Sequence, residues 1–309
     1  MSDRNYGCRI KTDLTYKGYD ALIMENESFR LMMLPGKGSD VIELLYKPTD
    51  MDFCWLTRMG LRGREAAFND FQGQYEGGWQ EILPNLAGKH MHQGIQMESY
   101  GEVSLTRWTH AIVKNTPEEI AVTFANRLRT MPLLIEKTIV MTSGEPGFRL
   151  REKAANLSPA VLHADWGHHI TFGTPFLTPG TRIFLPDGTD SPFIVPERGQ
   201  PGGFDTLPAG SGVYRLVRPD GLGAEVGWDA AKWPHLWFWR DFGGDTSPPY
   251  YGCHYNVGLE MFTSPPAASL QESIDRGTAM RWAPYGETES HLTFAVLTED
   301  GREAGRGKK

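Results

Sequence analysis

The chain of 309 residues carries 31 basic against 38 acidic side chains, a net charge of −7 that argues against nucleic acid or an anionic membrane surface as partner. Its 35 glycines and 21 prolines are about 18% of the chain, against a usual combined share of ~12%, and favour many turns over long helices. At this length a core can form without disulfide or metal staples, and no run nears the ~18 apolar residues needed to cross a membrane.

The opening segment, MSDRNYGCRIKTDLTYKGYD, shows no apolar h-region and no small-residue cleavage site, so a cytoplasmic location is expected. Cys8, Cys54 and Cys253 are far apart and form no Cys-x-x-Cys pair. That fits reduced thiols rather than a zinc ribbon or redox site.

Strand signals then dominate. Residues 19–25, 28–34, 40–46 and 108–114 are candidates, and 119–127 alternates cleanly, with Ile120, Val122 and Phe124 on one face. Residues 133–142, 147–156, 160–172, 213–218, 222–228, 235–240, 252–262 and 291–297 follow. Turn pairs such as Pro35-Gly36, Ser143-Gly144 and Asp220-Gly221 separate them. The segment 186–212, rich in Pro, Gly and Asp with little alternation, predicts a surface excursion beside a site. One helix is expected over 265–277, where Ala267, Leu270 and Ile274 share a face and Gly277 ends it. No repeat or linker divides the chain. The prediction is one all-β domain over 1–300, a large antiparallel sandwich with little helix, then a disordered tail over 301–309.

Nucleotide loops, a nucleophile elbow and a calcium loop are all missing from the sequence. Four segments remain as candidates for chemistry. In 75–85, Trp79, Gln80, Glu81 and Asn85 crowd behind two glycines. They read either as a polar pocket wall or as a bulged strand with one aromatic in the core. In 163–176, adjacent His168 and His169 must face opposite sides of a strand, so one can reach a concave face while the other packs. In 234–245, Trp237 and Trp239 share a face, with Arg240 and Asp241 at the strand end. Aromatic faces suit the C–H faces of sugars, although core packing is the commoner fate of such tryptophans. In 252–266, Glu260 lies between Gly258 and Phe262 on one face. That setting desolvates a carboxylate and raises its basicity, although a salt bridge would give the same pattern. A metal site would draw on His90, His92, Glu98 and His254, but the step from His92 to Glu98 exceeds the usual cupin spacing.

Across these segments the chain resembles the galactose mutarotase-like superfamily, specifically the bacterial aldose 1-epimerase-related proteins. The resemblance runs through residues 25–50, GGWQEILPN (77–85), YGEVSLTRW (100–108), WGHHITFG (166–173) and GLEMFTSPP (258–266). It implies a β-supersandwich with a sugar-binding cleft across its concave face. It also implies a cofactor-free epimerase in which a histidine protonates the ring oxygen while a glutamate takes the anomeric proton. The glutamate falls on Glu260, and the H-x-x-F pattern favours His169 over His168 as the acid. His168, Trp79, Gln80, Glu81, Asn85, Tyr100, Trp239 and Arg240 are the expected substrate-binding residues.

Where relatives often carry His-Gly-Glu, this chain has Tyr100-Gly101-Glu102, which points to a changed substrate, a substitute such as His90 or His92, or lost activity. Arg62, Arg64 and Arg240 are the cations available to an acidic sugar. The expected partner is a small-molecule sugar, with no nucleic acid, membrane or metal, and a homodimer is left open. The alternatives are a non-catalytic sugar-binding protein on the same fold and a cupin-like metal isomerase. The leading reading requires Glu260 and His169 to lie within one sugar's width of each other.

Overall fold

Strands that alternate apolar and polar residues must bury one face, and here two large sheets bury theirs against each other. The computed structural model describes residues 6–63, 70–186, 188–189 and 191–298, and the backbone of 302–303. The first sheet runs Arg9–Tyr16, Tyr19–Glu25, Phe29–Leu34, Asp40–Tyr46, Trp79–Ile82, Gly167–Gly173, Asn256–Phe262, His235–Phe242, Gln200–Pro208 from edge to edge. The second runs Phe193–Ile194, Arg182–Phe184, Val213–Val217, Gly223–Trp228, Glu287–Thr298, Gly147–Asn156, Leu133–Thr142, Glu119–Arg127, Thr109–Asn115. The fold is thus the antiparallel β-sandwich expected from the alternation.

Leu133–Thr142 shows the logic of the second sheet, burying every other residue from Leu133 through Met141. Between the sheets, Phe29 of the first meets Phe294 of the second at 5.4 Å, and Phe294 stacks on Phe148 at 5.7 Å. In the first sheet Trp79–Ile82, Gly167–Gly173 and Asn256–Phe262 are buried on both faces. Their outer face is therefore covered too, and the candidate site forms there.

Several elements depart from expectation. Gln200–Pro208 is a strand rather than an excursion: it pairs with His235–Phe242 at the sheet edge and carries a bulge between Gln200 and Gly203. A mostly exposed edge needs no apolar alternation, which hid it. Arg9–Tyr16, at the opposite edge, is likewise an unpredicted strand. The run 160–172 divides into Leu162–Ala164 and Gly167–Gly173, because Asp165 turns aside to accept from the Ser273 hydroxyl at 2.8 Å. The helix is shorter than expected, Leu270–Asp275, and starts where Ser269 Oγ accepts from the Glu272 amide at 3.2 Å. In the tail, Arg302–Glu303 pairs with Leu297 and Thr298, while 301 and 304–309 lie outside the described residues. Among the described residues no helix is long and apolar enough to cross a membrane.

Candidate active site

Register brings the two key side chains together. Gly167–Gly173 pairs antiparallel with Asn256–Phe262 through Gly167↔Phe262, His168↔Met261 and Thr171↔Gly258, which sets His169 opposite Glu260. Side chains opposed on one sheet face have Cβ atoms only ~5 Å apart. His169 Nε2 accordingly lies 3.4 Å from Glu260 Oε1, although the residues are far apart in sequence. Gly258 is what lets the carboxylate settle, since a Cβ there would collide with Glu260 Oε1.

Both groups open into a cleft of about 390 Å³ lined by Trp55, Phe71, Tyr75, Tyr100, Trp239, Tyr250 and His254, among others. That volume suits a small polar ligand. Trp55 is seated by Gly173, whose missing side chain leaves room for the indole. It meets Trp239 edge-on at 5.9 Å and Tyr75 at 6.0 Å. Tyr75 reaches His169 from the other side, its hydroxyl 3.5 Å from Nδ1, and donates to Thr171 Oγ1 at 3.3 Å. Tyr100, held in the left-handed region at φ 56°, packs on Phe71 at 4.7 Å with its ring 6.0 Å from that of His169.

Burial governs the electrostatics. It pushes the Glu260 carboxyl well above its ordinary 4.5. It holds the His169 imidazole down at about 3, with Lys37 adding to the effect. Each group is driven to its uncharged form, which favours one proton on the pair, carried by the carboxyl. A carboxyl and an imidazole that exchange one proton beside an open cleft can give a proton to one oxygen and take one from another.

The other predicted residues divide by strand face. Tyr100 and Trp239 line the cleft; the remaining six do not. His168 points between the sheets, where Nδ1 accepts from the Trp79 indole at 3.0 Å and Nε2 lies 3.0 Å from Glu152 Oε2. Glu81 joins this buried group, accepting from Trp166 Nε1 at 3.0 Å with Lys137 Nζ at 3.1 Å. Trp79, Glu81 and His168 are therefore core residues rather than cleft residues, because strand alternation turns them inward. Gln80 stands in register beside His169 but is covered, and its amide donates to Asp40 Oδ2 at 3.4 Å. Asn85 fastens a turn, donating to the Ala87 and Glu98 carbonyls at 3.1 and 2.9 Å. Arg240 lies over the Phe238 ring at 4.4 Å and pairs with Asp205. Of the other cations named, Arg62 lines the cleft and Arg64 lies outside the described residues.

The cupin-like reading fails on geometry. His90 is occupied by the Gly88 carbonyl at 2.7 Å and the Leu270 amide at 3.1 Å, and Glu98 pairs with Lys89 at 3.2 Å. His254 is elsewhere, its ring 4.9 Å from that of Trp55 in the cleft. Among the described residues the potential ligand cluster is Glu81, Glu152 and His168. There the Lys137 ammonium already supplies a cation to Glu81.

Sequence reasoning missed Trp55, Phe71, Tyr75 and Tyr250, and offered His254 only as a metal ligand. All lie outside the long alternating strands, so no periodic signal marked them. The GGW motif was a usable hint for Tyr75, since it lies just before those glycines.

No family model matches the chain, and no curated protein matches it in sequence. Solved structures do match in shape. A candidate aldose 1-epimerase from Klebsiella pneumoniae superposes with a TM-score of 0.74 at 15% identity, over 94% of this chain and 83% of that one. The Slr1438 protein of Synechocystis gives 0.70 at 15% identity, over 94% and 100%. A galactose mutarotase-like protein from Clostridium acetobutylicum gives 0.68 at 12% identity, over 95% and 99%. The sheet order, the outer-face cleft and these superpositions lead to one conclusion: the chain has the galactose mutarotase-like fold.

Proposed function

We propose that the protein is a cofactor-free aldose 1-epimerase-like enzyme that interconverts the anomers of a free sugar. The observation that carries this reading is the His169–Glu260 pair, 3.4 Å apart and buried at the base of an aromatic cleft. The ring oxygen and the anomeric hydroxyl of a hemiacetal share one carbon. An acid and a base that serve them together must therefore be close neighbours, as these are.

In the reactive tautomer the pair's one proton has passed from Glu260 to His169, leaving Glu260 as the carboxylate. Glu260 takes the proton from the anomeric hydroxyl while His169 gives its proton to the ring oxygen. The C1–ring oxygen bond breaks and C1 becomes the free aldehyde. Rotation about C1–C2 presents the other carbonyl face, and reclosure with the reverse proton transfers yields the other anomer. Atoms and protons balance, and the reaction returns the pair to its starting state. Trp55, Trp239 and Tyr250 offer apolar faces for the C–H side of the ring.

A binding protein could use the same aromatic wall. A carboxyl and an imidazole can also bind hydroxyls, but burying the two side by side is what proton transfer requires and hydroxyl binding does not, so the pair favours the enzyme. The test is catalysed anomer exchange in solution, which should disappear in both Glu260→Gln and His169→Asn.

A further inference from the structure

Beyond the reacting pair, the cleft contains a second polar group that the chemistry above does not use. His254 lines the cleft with its ring 5.3 Å from Tyr250 and 6.4 Å from Trp239. Its Nδ1 lies 3.5 Å from Asp241 Oδ2, and Asp241 is the register partner of Asn256 on the next strand. All three are buried, with exposures of 8%, 3% and 0% for His254, Asp241 and Asn256.

Buried polar atoms are nearly always hydrogen-bonded. Here both amide atoms of Asn256 have no hydrogen-bond partner among the described residues, and His254 Nδ1 and Asp241 Oδ2 have only each other, at 3.5 Å. The Asp241 carboxylate is nevertheless anchored, because Oδ1 accepts from the Gly243 amide at 2.9 Å. His254 lines the cleft while Asp241 and Asn256 stand behind it, so this end of the cleft is backed by under-satisfied polar groups, which suits hydroxyls.

The spacing fits one sugar ring. Glu260 folds its carboxylate back over Gly258, and Asn256 stands two residues further along the same strand face. At ~3.3 Å per residue that is about 7 Å, similar to the reach from the anomeric oxygen to the hydroxyls across a pyranose. We infer that His254, Asp241 and Asn256 form a hydroxyl-binding subsite for the part of the sugar opposite C1, with His254 touching the sugar. Asp241 and Asn256 are positioning residues. A carboxylate at Nδ1 favours the proton there and leaves Nε2 to accept from a sugar hydroxyl. The placement of C1 rests on the epimerase reading; the subsite itself does not.

Trp55 and Trp239 flank His254, so sugar binding can be followed by intrinsic fluorescence. The titrants are D-glucose, D-galactose and D-xylose, and D-glucuronate, with the 3-deoxy and 4-deoxy forms of whichever sugar binds. His254→Phe keeps the ring packing and should weaken the full sugar about tenfold. At least one of the two deoxy forms should bind native and variant protein alike. Asp241→Asn should follow the same pattern with a smaller loss. Should the phenylalanine variant misfold by near-ultraviolet dichroism, His254→Gln replaces it, with an intermediate loss expected. Equal affinity of native protein and folded variant for every sugar that binds would overturn the subsite. Anomer exchange measured in parallel separates the two ideas. Binding that depends on His254 without catalysed exchange overturns the epimerase reading alone, and no binding by any of the three sugars or by D-glucuronate overturns both.

Discussion

His168 and His169 leave the same strand in opposite directions, one to Glu152 at 3.0 Å between the sheets and the other to Glu260 at 3.4 Å in the cleft. One histidine is committed to structure and its neighbour to chemistry. His168→Leu strands the Trp79 indole and the Glu152 carboxyl in the core. Leaving such groups unpaired costs about 3 kcal/mol. The melting temperature should fall by several degrees while the folded protein keeps its rate. His169→Asn should do the reverse, with a rate loss of about 10²–10⁴ and little change in stability. Thermal unfolding and initial rates on both variants check the division, and a rate collapse in folded His168→Leu would contradict it.

Gly258 is the space that the Glu260 carboxylate occupies. In Gly258→Ala the new methyl would meet Oε1 and come within 3.3 Å of the Trp239 ring. The strand can carry alanine, so the fold should persist while the carboxylate is displaced. A misplacement of about 1 Å costs on the order of 10²-fold in rate. Steady-state kinetics on the folded variant should show that loss mainly in kcat.

The rate should depend on pH as a wide plateau. An ordinary carboxyl at 4.5 and imidazole at 6.5 would hold one proton between them only inside that interval. Burial lowers His169 to about 3, which extends the one-proton state to lower pH, and raises Glu260, which then sets its alkaline limit. Below the lowered value the pair gains a second proton and has no base. Above the raised value it loses its only proton and has no acid. Catalysed exchange, corrected for the spontaneous rate, should stay level below pH 4.5, down towards pH 3, and its alkaline limb should follow the raised Glu260 carboxyl. A narrow bell between the two ordinary values would show that the pair is not desolvated during turnover.

Stability should fall in acid through Glu25. Burial alone would raise this carboxyl. Hydrogen bonds from Arg9 at 2.7 Å and Arg30 at 3.2 Å outweigh it and bring the value down to about 2. A depressed carboxyl contributes stability above its unfolded value and loses it as pH falls through the folded one. The contribution is full above pH 4.5 and lost toward pH 2. Denaturant midpoints for native protein and Glu25→Gln should converge across that window. A constant gap between them would remove Glu25 from the account.

The sandwich was legible because its inner strands must alternate. Residues 119–127, 133–142 and 147–156 carry that pattern and form strands over those spans. The edges Arg9–Tyr16 and Gln200–Pro208 were not legible, since edge strands bury too little to impose a pattern. At the site, motif and alternation placed His169 and Glu260 in the chain, while their meeting depended on strand register. Trp79 and Trp239 look alike in sequence. One packs inward against His168 and the other lines the cleft, a choice fixed by partner strands that no local window contains. Trp55, Tyr75 and His254 come from connections, where tertiary contact rather than periodicity decides position.

The most direct test is anomer exchange by magnetisation-transfer NMR with neutral, acidic and deoxy aldoses, comparing native protein with Glu260→Gln and His169→Asn. The account predicts accelerated exchange for at least one sugar, lost in both variants while they still bind it. Binding of a sugar without accelerated exchange, or exchange that survives either substitution, would contradict the assignment of this pair as acid and base.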